Sequence, residues 1–310
     1  MNRVRFGLTI AALAISGCGT GVLDPFILKP SATYKYLPTE LGYAYTEHTV
    51  TSSLGEMVSL WRIKPTGTSR GIIIIIPGND ANMGRYVVTL PFFVDKGWEV
   101  ILFDYPGYGT STGEATLPNI LDGTRAVVEY ALDEDDVVIG IGVSLGTAVL
   151  GRIAPDYPFT ACIFESTMNL HETASSFLEY HKVLPEIGDF GDLAAAALTS
   201  PDWDLRKWVA EARMPKLFIH SPDDSVTPFA MGFRVFEAAA KPKHMFVTQG
   251  DHAFQLFIDP TLYRSTVNGW LDGILRVDPI TIPGFEDFLR TDLLANIAAY
   301  GLSPDQVNGL

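Results

Sequence analysis

The chain has 310 residues, 47% of them hydrophobic, enough to bury the core of one large domain. Its 22 basic and 36 acidic residues leave a net charge of −14, which repels nucleic-acid phosphates and anionic lipid alike. No repeat, heptad run or low-complexity tract appears.

The chain opens on Arg3 and Arg5, and Phe6 to Ile15 is a mostly apolar run. Such a run is too short to span a bilayer and reads as a secretory signal. Ile15-Ser16-Gly17-Cys18 resembles a bacterial lipobox. That resemblance implies cleavage before Cys18, acylation of Cys18, and a durable membrane anchor made of several acyl chains. Gly19 after the cysteine implies, on the same grounds, the outer membrane facing the periplasm. The expected organisation is a signal over residues 1–17, a lipidated tether over 18–43 and a folded domain over 44–310. With Cys18 lipidated no intramolecular disulfide can form, and Cys162, inside an apolar run, is expected to behave as a small buried hydrophobe.

From Tyr45 to Ile63 an alternating pattern predicts a hairpin with Gly55 near its turn. Strand-like runs follow at 71–76, 98–103, 137–143, 161–164, 216–220 and 244–247. Helical patterns fall between most of them, at 83–96, 117–132, 145–154, 229–240 and 260–276. Strands alternating with helices predict an α/β fold with a mostly parallel sheet covered by helices on both faces. In such a sheet the chemistry gathers at the carboxyl ends of the strands.

Ser144 stands at one of these ends, between Gly142 and Gly146, where an apolar β-branched strand passes directly into a helix. A serine there must sit on a sharp turn, and a Cβ at 142 or 146 would crowd the neighbouring strand or helix. Its hydroxyl is then exposed near a helix N-terminus, which stabilises developing negative charge. The competing reading is a dinucleotide fingerprint starting at Gly140, but Leu145 occupies its third glycine position. Gly107-Tyr108-Gly109 fails likewise at Thr112, and the chain has no phosphate loop, so no nucleotide cofactor and no metal are expected.

The segment around Ser144 resembles the nucleophile elbow of the α/β-hydrolase superfamily, which implies an α/β-hydrolase fold and a triad in the order Ser, Asp or Glu, His. Pro215 to Pro228, PKLFIHSPDDSVTP, resembles the family's acid-bearing strand and loop. The alignment implies Asp224 as the acid; the alternative is an acidic loop whose Asp223 or Ser225 caps the next helix. Gln249-Gly250-Asp251-His252 resembles the family's histidine loop and implies His252 as the base, with His220 and His244 structural. Pro77-Gly78-Asn79-Asp80 resembles the family's H-G-N loop, with Pro77 in place of histidine. It implies an oxyanion hole made by the N–H groups of Leu145 and Asn79. Phe103 to Gly113 resembles a structural turn of the family, with Pro106 for arginine.

An insertion over about 166–214 corresponds to the family's lid, where Met168, Leu170, Phe177, Leu178, Tyr180, Val183 and Leu184 either line an acyl pocket or pack the lid onto the core. The tail contains one helical stretch at 285–300. The activity implied is a serine hydrolase acting on a small-molecule ester or related acyl substrate, anchored in the bacterial cell envelope. An aminopeptidase or amidase on the same triad, and a non-catalytic envelope scaffold, are the alternatives.

Overall fold

The computed structural model describes residues 28–80, 82–173, 201–253 and 255–275. The expected signal and Cys18, the central part of the expected lid with Phe177, Leu178, Tyr180, Val183 and Leu184, and the expected tail helix lie outside them.

Eight strands form one sheet: β1 (Thr46–Thr51), β2 (Met57–Ile63), β3 (Ile72–Ile76), β4 (Glu99–Phe103), β5 (Val138–Val143), β6 (Ala161–Glu165), β7 (Lys216–His220) and β8 (Lys243–Val247). Their order is β1-β2-β4-β3-β5-β6-β7-β8. β1 pairs antiparallel with β2, and β2 antiparallel with β4. The other pairings are parallel. The predicted hairpin and all six later strands are present, with ends within a residue of expectation.

Five consecutive isoleucines build β3, buried on both faces as a central parallel strand requires. The two-residue period sends Ile72, Ile74 and Ile76 into one apolar layer and Ile73 and Ile75 into the other. The first layer is filled by α2 (Leu117–Glu134), α3 (Leu145–Ile153), α4 (Leu205–Glu211) and α5 (Phe229–Ala238), the second by residues 83–94 and α6 (Pro260–Leu275). Among the described residues no helix is long and apolar enough to cross a membrane.

Two expectations change. The helix predicted over 83–96 is a 3-10 stretch at Met83–Thr89, one α-helical turn, α1, at Leu90–Phe93, and a 3-10 turn at Val94–Lys96. Pro91 has no N–H to give to the carbonyl four residues back, so a continuous α-helical ladder cannot pass through it. The expected tether ends earlier than residue 43. Leu28 is buried in the core, and Tyr34 donates from its hydroxyl to Asp104 Oδ2 at 2.7 Å. The Asn82 side-chain amide donates to the carbonyls of Ser31 and Thr33. Prolines at 30 and 38 make this stretch irregular, but its backbone groups bond to the domain.

The chain leaves β3 for β4 on one side, then crosses to β5 on the other. Ligands bind in doubly wound sheets in the crevice that opens at such a reversal, beyond the strands' carboxyl ends. Here that crevice lies between the loop after Ile76 and the turn after Val143.

Candidate active site

Ser144 links β5 to α3 with φ 54° and ψ −118°, a conformation that non-glycine residues adopt only under constraint from their surroundings. The constraint is steric. A Cβ on Gly142 would come within 2.5 Å of the Gly146 carbonyl oxygen, and one on Gly146 would overlap the carbonyl of Ile76. The small residues on each side of Ser144 therefore let helix α3 press against both its own strand and β3. The Ser144 N–H donates to the Glu165 carbonyl at 3.0 Å, which fixes the turn to the end of β6. Leu145 opens α3, and its N–H lies in the first helical turn, where no carbonyl of the helix can take it.

His252 follows β8, and its Nε2 accepts the Ser144 hydroxyl proton at 2.8 Å. Its Nδ1–H donates to Asp224, at 2.9 Å from Oδ1 and 3.0 Å from Oδ2. A carboxylate can only accept, so this contact places the ring proton on Nδ1 and leaves the Nε2 lone pair toward the serine. Asp224 is itself held by the N–H groups of Val226 and Thr227 and by the Thr227 hydroxyl. Burial pushes its carboxyl pKa up, but the bonds from His252 and Thr227 outweigh that and bring it down to about 2. It is therefore ionised at any working pH.

Asp223 is exposed, with its N–H bonded to Ser221 Oγ. The next helix begins without a side-chain cap, so neither Asp223 nor Ser225 fills the capping role. His220 also approaches Asp224, at 3.6 Å, but its bonds make it structural. Its Nε2–H donates to the Thr227 carbonyl at 2.8 Å, and its Nδ1 accepts the Thr167 N–H at 3.3 Å. Burial lowers its pKa, so the imidazole stays neutral between these partners.

The Pro77-Gly78-Asn79 loop lies against the elbow: a Cβ on Gly78 would stand 3.5 Å from the Cβ of Ser144. Met168 and Leu170 are buried in the main core and not exposed in a pocket. Among the described residues no three His, Cys, Asp or Glu side chains gather as a metal-binding group.

Sequence reasoning passed over several supporting groups. Thr227 bonds Asp224, and Ser166 Oγ accepts the Ala253 N–H at 3.0 Å beside His252. Tyr105 and Tyr108, inside the turn read only as structural, reach the loop after β3. The spacing of the two tyrosines carried no signal, because their partners Pro77 and Asn79 are 28 and 29 positions away.

The sequence matches the alpha/beta hydrolase family over residues 73–298. It is similar to YqkD of Bacillus subtilis (strain 168), 28% identical over 247 residues that cover 74% of this chain and 80% of that protein. It is also similar to the lysophosphatidylserine lipase ABHD12 of Xenopus tropicalis, 27% identical over 60% of this chain and 51% of that protein. The fold resembles that of an esterase of Pyrococcus furiosus, with a TM-score of 0.66 at 19% identity, over 80% of this chain and 97% of the other. With an eight-stranded sheet of this order, a strained serine at the end of its fifth strand and a family match over most of its length, the chain belongs to the alpha/beta hydrolase family.

Proposed function

We propose that this protein is a serine hydrolase that cleaves esters or related acyl compounds through an acyl-enzyme. The observation that carries the proposal is the continuous relay from Ser144 Oγ through both His252 ring nitrogens to Asp224, with every contact between 2.8 and 3.0 Å.

Ser144 attacks the acyl carbonyl as His252 Nε2 takes its proton. Asp224 holds the ring and stabilises the imidazolium that forms. Negative charge on the carbonyl oxygen falls to the N–H groups of Leu145 and Asn79. Collapse of the tetrahedral intermediate breaks the C–O bond, and His252 returns its proton to the departing alcohol. Water then adds to the acyl-enzyme, gives its proton to His252, and releases the acid as Ser144 regains its own.

The substrate class is an acyl ester, to be narrowed with esters of increasing chain length. Because one relative is named for lysophosphatidylserine, monoacyl glycerophospholipids belong among them. Reading residues 1–18 as a lipoprotein signal goes with this proposal and places the enzyme at a membrane. Incorporation of labelled palmitate, lost in Cys18→Ala, tests that part. For the chemistry, a fluorophosphonate probe should label the wild-type protein and leave Ser144→Ala unlabelled. A folded wild type that resists the probe would overturn the proposal.

A further inference from the structure

The loop that supplies the second oxyanion donor lacks the histidine usual at the position of Pro77 in the family it resembles, and proline offers neither a side-chain hydrogen bond nor an N–H. Three buried tyrosines hold it instead. Tyr105 donates its hydroxyl to the Pro77 carbonyl at 2.7 Å. The Gly78 N–H donates to the Tyr86 hydroxyl at 2.6 Å. Tyr108 donates to the Asn79 carbonyl at 2.7 Å, and the Lys29 N–H donates to the same oxygen at 3.0 Å. Tyr105 and Tyr108 are 0% exposed and Tyr86 2%.

These bonds are distributed by peptide plane. The Pro77 carbonyl and the Gly78 N–H are the two polar ends of one peptide, and both are taken. The Asn79 carbonyl belongs to the peptide after Asn79, and it is taken twice. Between these two planes lies the Gly78–Asn79 peptide, whose N–H is the oxyanion donor. Turning that peptide over would point its carbonyl oxygen at the developing negative charge. Such a flip needs changes only in ψ of residue 78 and φ of residue 79, and a glycine at 78 makes it sterically easy. With both flanking planes bonded to buried hydroxyls, the Cα atoms of residues 78 and 79 stay in place, so the axis of the peptide between them and the point from which its N–H is aimed are set by those bonds.

We propose that Tyr86, Tyr105 and Tyr108 are positioning residues that anchor the peptides on either side of the Gly78–Asn79 peptide and so set where its N–H stands for the substrate oxyanion. The irregular N-terminal segment from Leu28 to Tyr34 is part of this anchoring through Lys29. This role rests on the reading of Asn79 as an oxyanion donor, and it moves the work of the missing histidine to side chains from two other elements.

The test compares Tyr86→Phe, Tyr105→Phe and Tyr108→Phe with wild type on p-nitrophenyl butyrate, per active site titrated with fluorophosphonate. A trifluoromethyl ketone, whose adduct with the serine carries an oxyanion, serves as the transition-state probe. Each variant should lose about 10-fold in kcat, less than the 10²–10³-fold reported for deleting a donor outright, since the N–H remains and only its aim loosens. KM should stay within about twofold, and ketone affinity should weaken by the same factor as kcat/KM. Tyr157→Phe, whose hydroxyl bonds Glu129 far from the loop, should change none of these. Variants that melt earlier but keep wild-type kcat and ketone affinity per titrated site would show that the tyrosines only stabilise the fold, and would overturn the proposal. Labelling that persists in Ser144→Ala would instead overturn the serine-hydrolase reading, and the positioning role with it.

Discussion

Glu165 and Gln255, ninety positions apart, meet where the Gln255 N–H donates to Glu165 Oε1 at 3.0 Å. The other carboxylate oxygen takes the Tyr263 hydroxyl at 2.8 Å, while the Glu165 carbonyl takes the Ser144 N–H. One residue at the end of β6 thus holds Ser144 by its main chain and the loop of His252 by its side chain. Ser166 adds bonds to Ala253 and to the Gln255 amide. Among the described residues, the non-glycine positions with positive φ are Ser144, Ser166 and Ala253, all at this junction. Backbone strain of this kind persists only where surrounding bonds over-determine it.

Truncating Glu165 to alanine should therefore act on both stability and rate. Two buried donors, the Gln255 N–H and the Tyr263 hydroxyl, lose their acceptor, which costs about 2–4 kcal/mol. The His252 loop loosens, so kcat should fall by roughly 10-fold with KM little changed. Glu165→Gln keeps a carbonyl oxygen for Gln255 and should lie close to wild type. Thermal melts and ester kinetics on the pair check this; an alanine variant with wild-type melting and kcat would remove Glu165 from any positioning role.

The two glycines at 140 and 146 separate crowding that can relax from crowding that cannot. A methyl group on Gly140 would meet the flexible end of Leu150 at 2.7 Å, so Gly140→Ala should cost about 1–2 kcal/mol. On Gly146 it would overlap the main chain of Ile76, which runs straight into the Pro77 loop. Gly146→Ala should cost about 3 kcal/mol or more and should also reduce labelling of Ser144, because elbow and loop are pushed apart. Denaturant midpoints and probe-labelling rates measure the two effects. Equal losses for the two variants would mean the helix backs away from the strand without strain.

How much of this was legible in the chain depended on the range of the interaction. The isoleucine run at 72–76 specifies a strand buried on both faces by itself, and Gly142 signals a tight approach to the helix four residues on, whereas the contact of Gly146 with Ile76 joins residues 70 positions apart. The choice of Asp224 over Asp223 depends on which of two adjacent carboxylates faces the histidine, and only the family pattern pointed to it. The bonds of Tyr108 to Asn79 and of Tyr263 to Glu165 had no local signature, since each joins one hydroxyl to a partner 29 or 98 positions away. The stretch from Leu28 read as a tether for a similar reason. It lacks periodicity, and its order comes from backbone groups that happen to meet Asn79 and Asn82.

Asp224 should also leave a mark on acid stability. Its carboxyl is held at about 2 in the folded protein against an ordinary 3.8, so the folded state prefers the charged form. The stability this contributes is fully present above pH 3.8 and is lost as pH falls toward 2, an amount on the order of 2 kcal/mol. Asp224→Asn has no such titration. Denaturant unfolding of both proteins at pH 5, 3 and 2 should show the gap between them narrowing across that window. A gap that stays constant would mean the carboxylate bonds to His252 and Thr227 do not form in solution.

His220 and His252 both lie within reach of Asp224, and their substitutions should give opposite results. His252 is 18% exposed on its side chain, and its ring meets the serine. Removing it in His252→Ala should lower kcat about 10⁴-fold and cost only about 1 kcal/mol, since Asp224 keeps its bonds from Val226 and Thr227. His220 is fully buried and spans the Thr227 carbonyl and the Thr167 N–H, so His220→Ala leaves both unpaired and should cost about 2–4 kcal/mol. Its activity per folded molecule should drop far less than that of His252→Ala. His220 also carries a pH dependence. Burial holds the folded pKa of His220 below the ordinary 6.5, so acidification through 6.5 protonates the unfolded chain first and drains stability from the native state. That slope should be present in wild type and flattened in His220→Ala. The reverse pattern, with the rate lost at 220 and the stability lost at 252, would exchange the two roles and break the relay from Ser144 to Asp224.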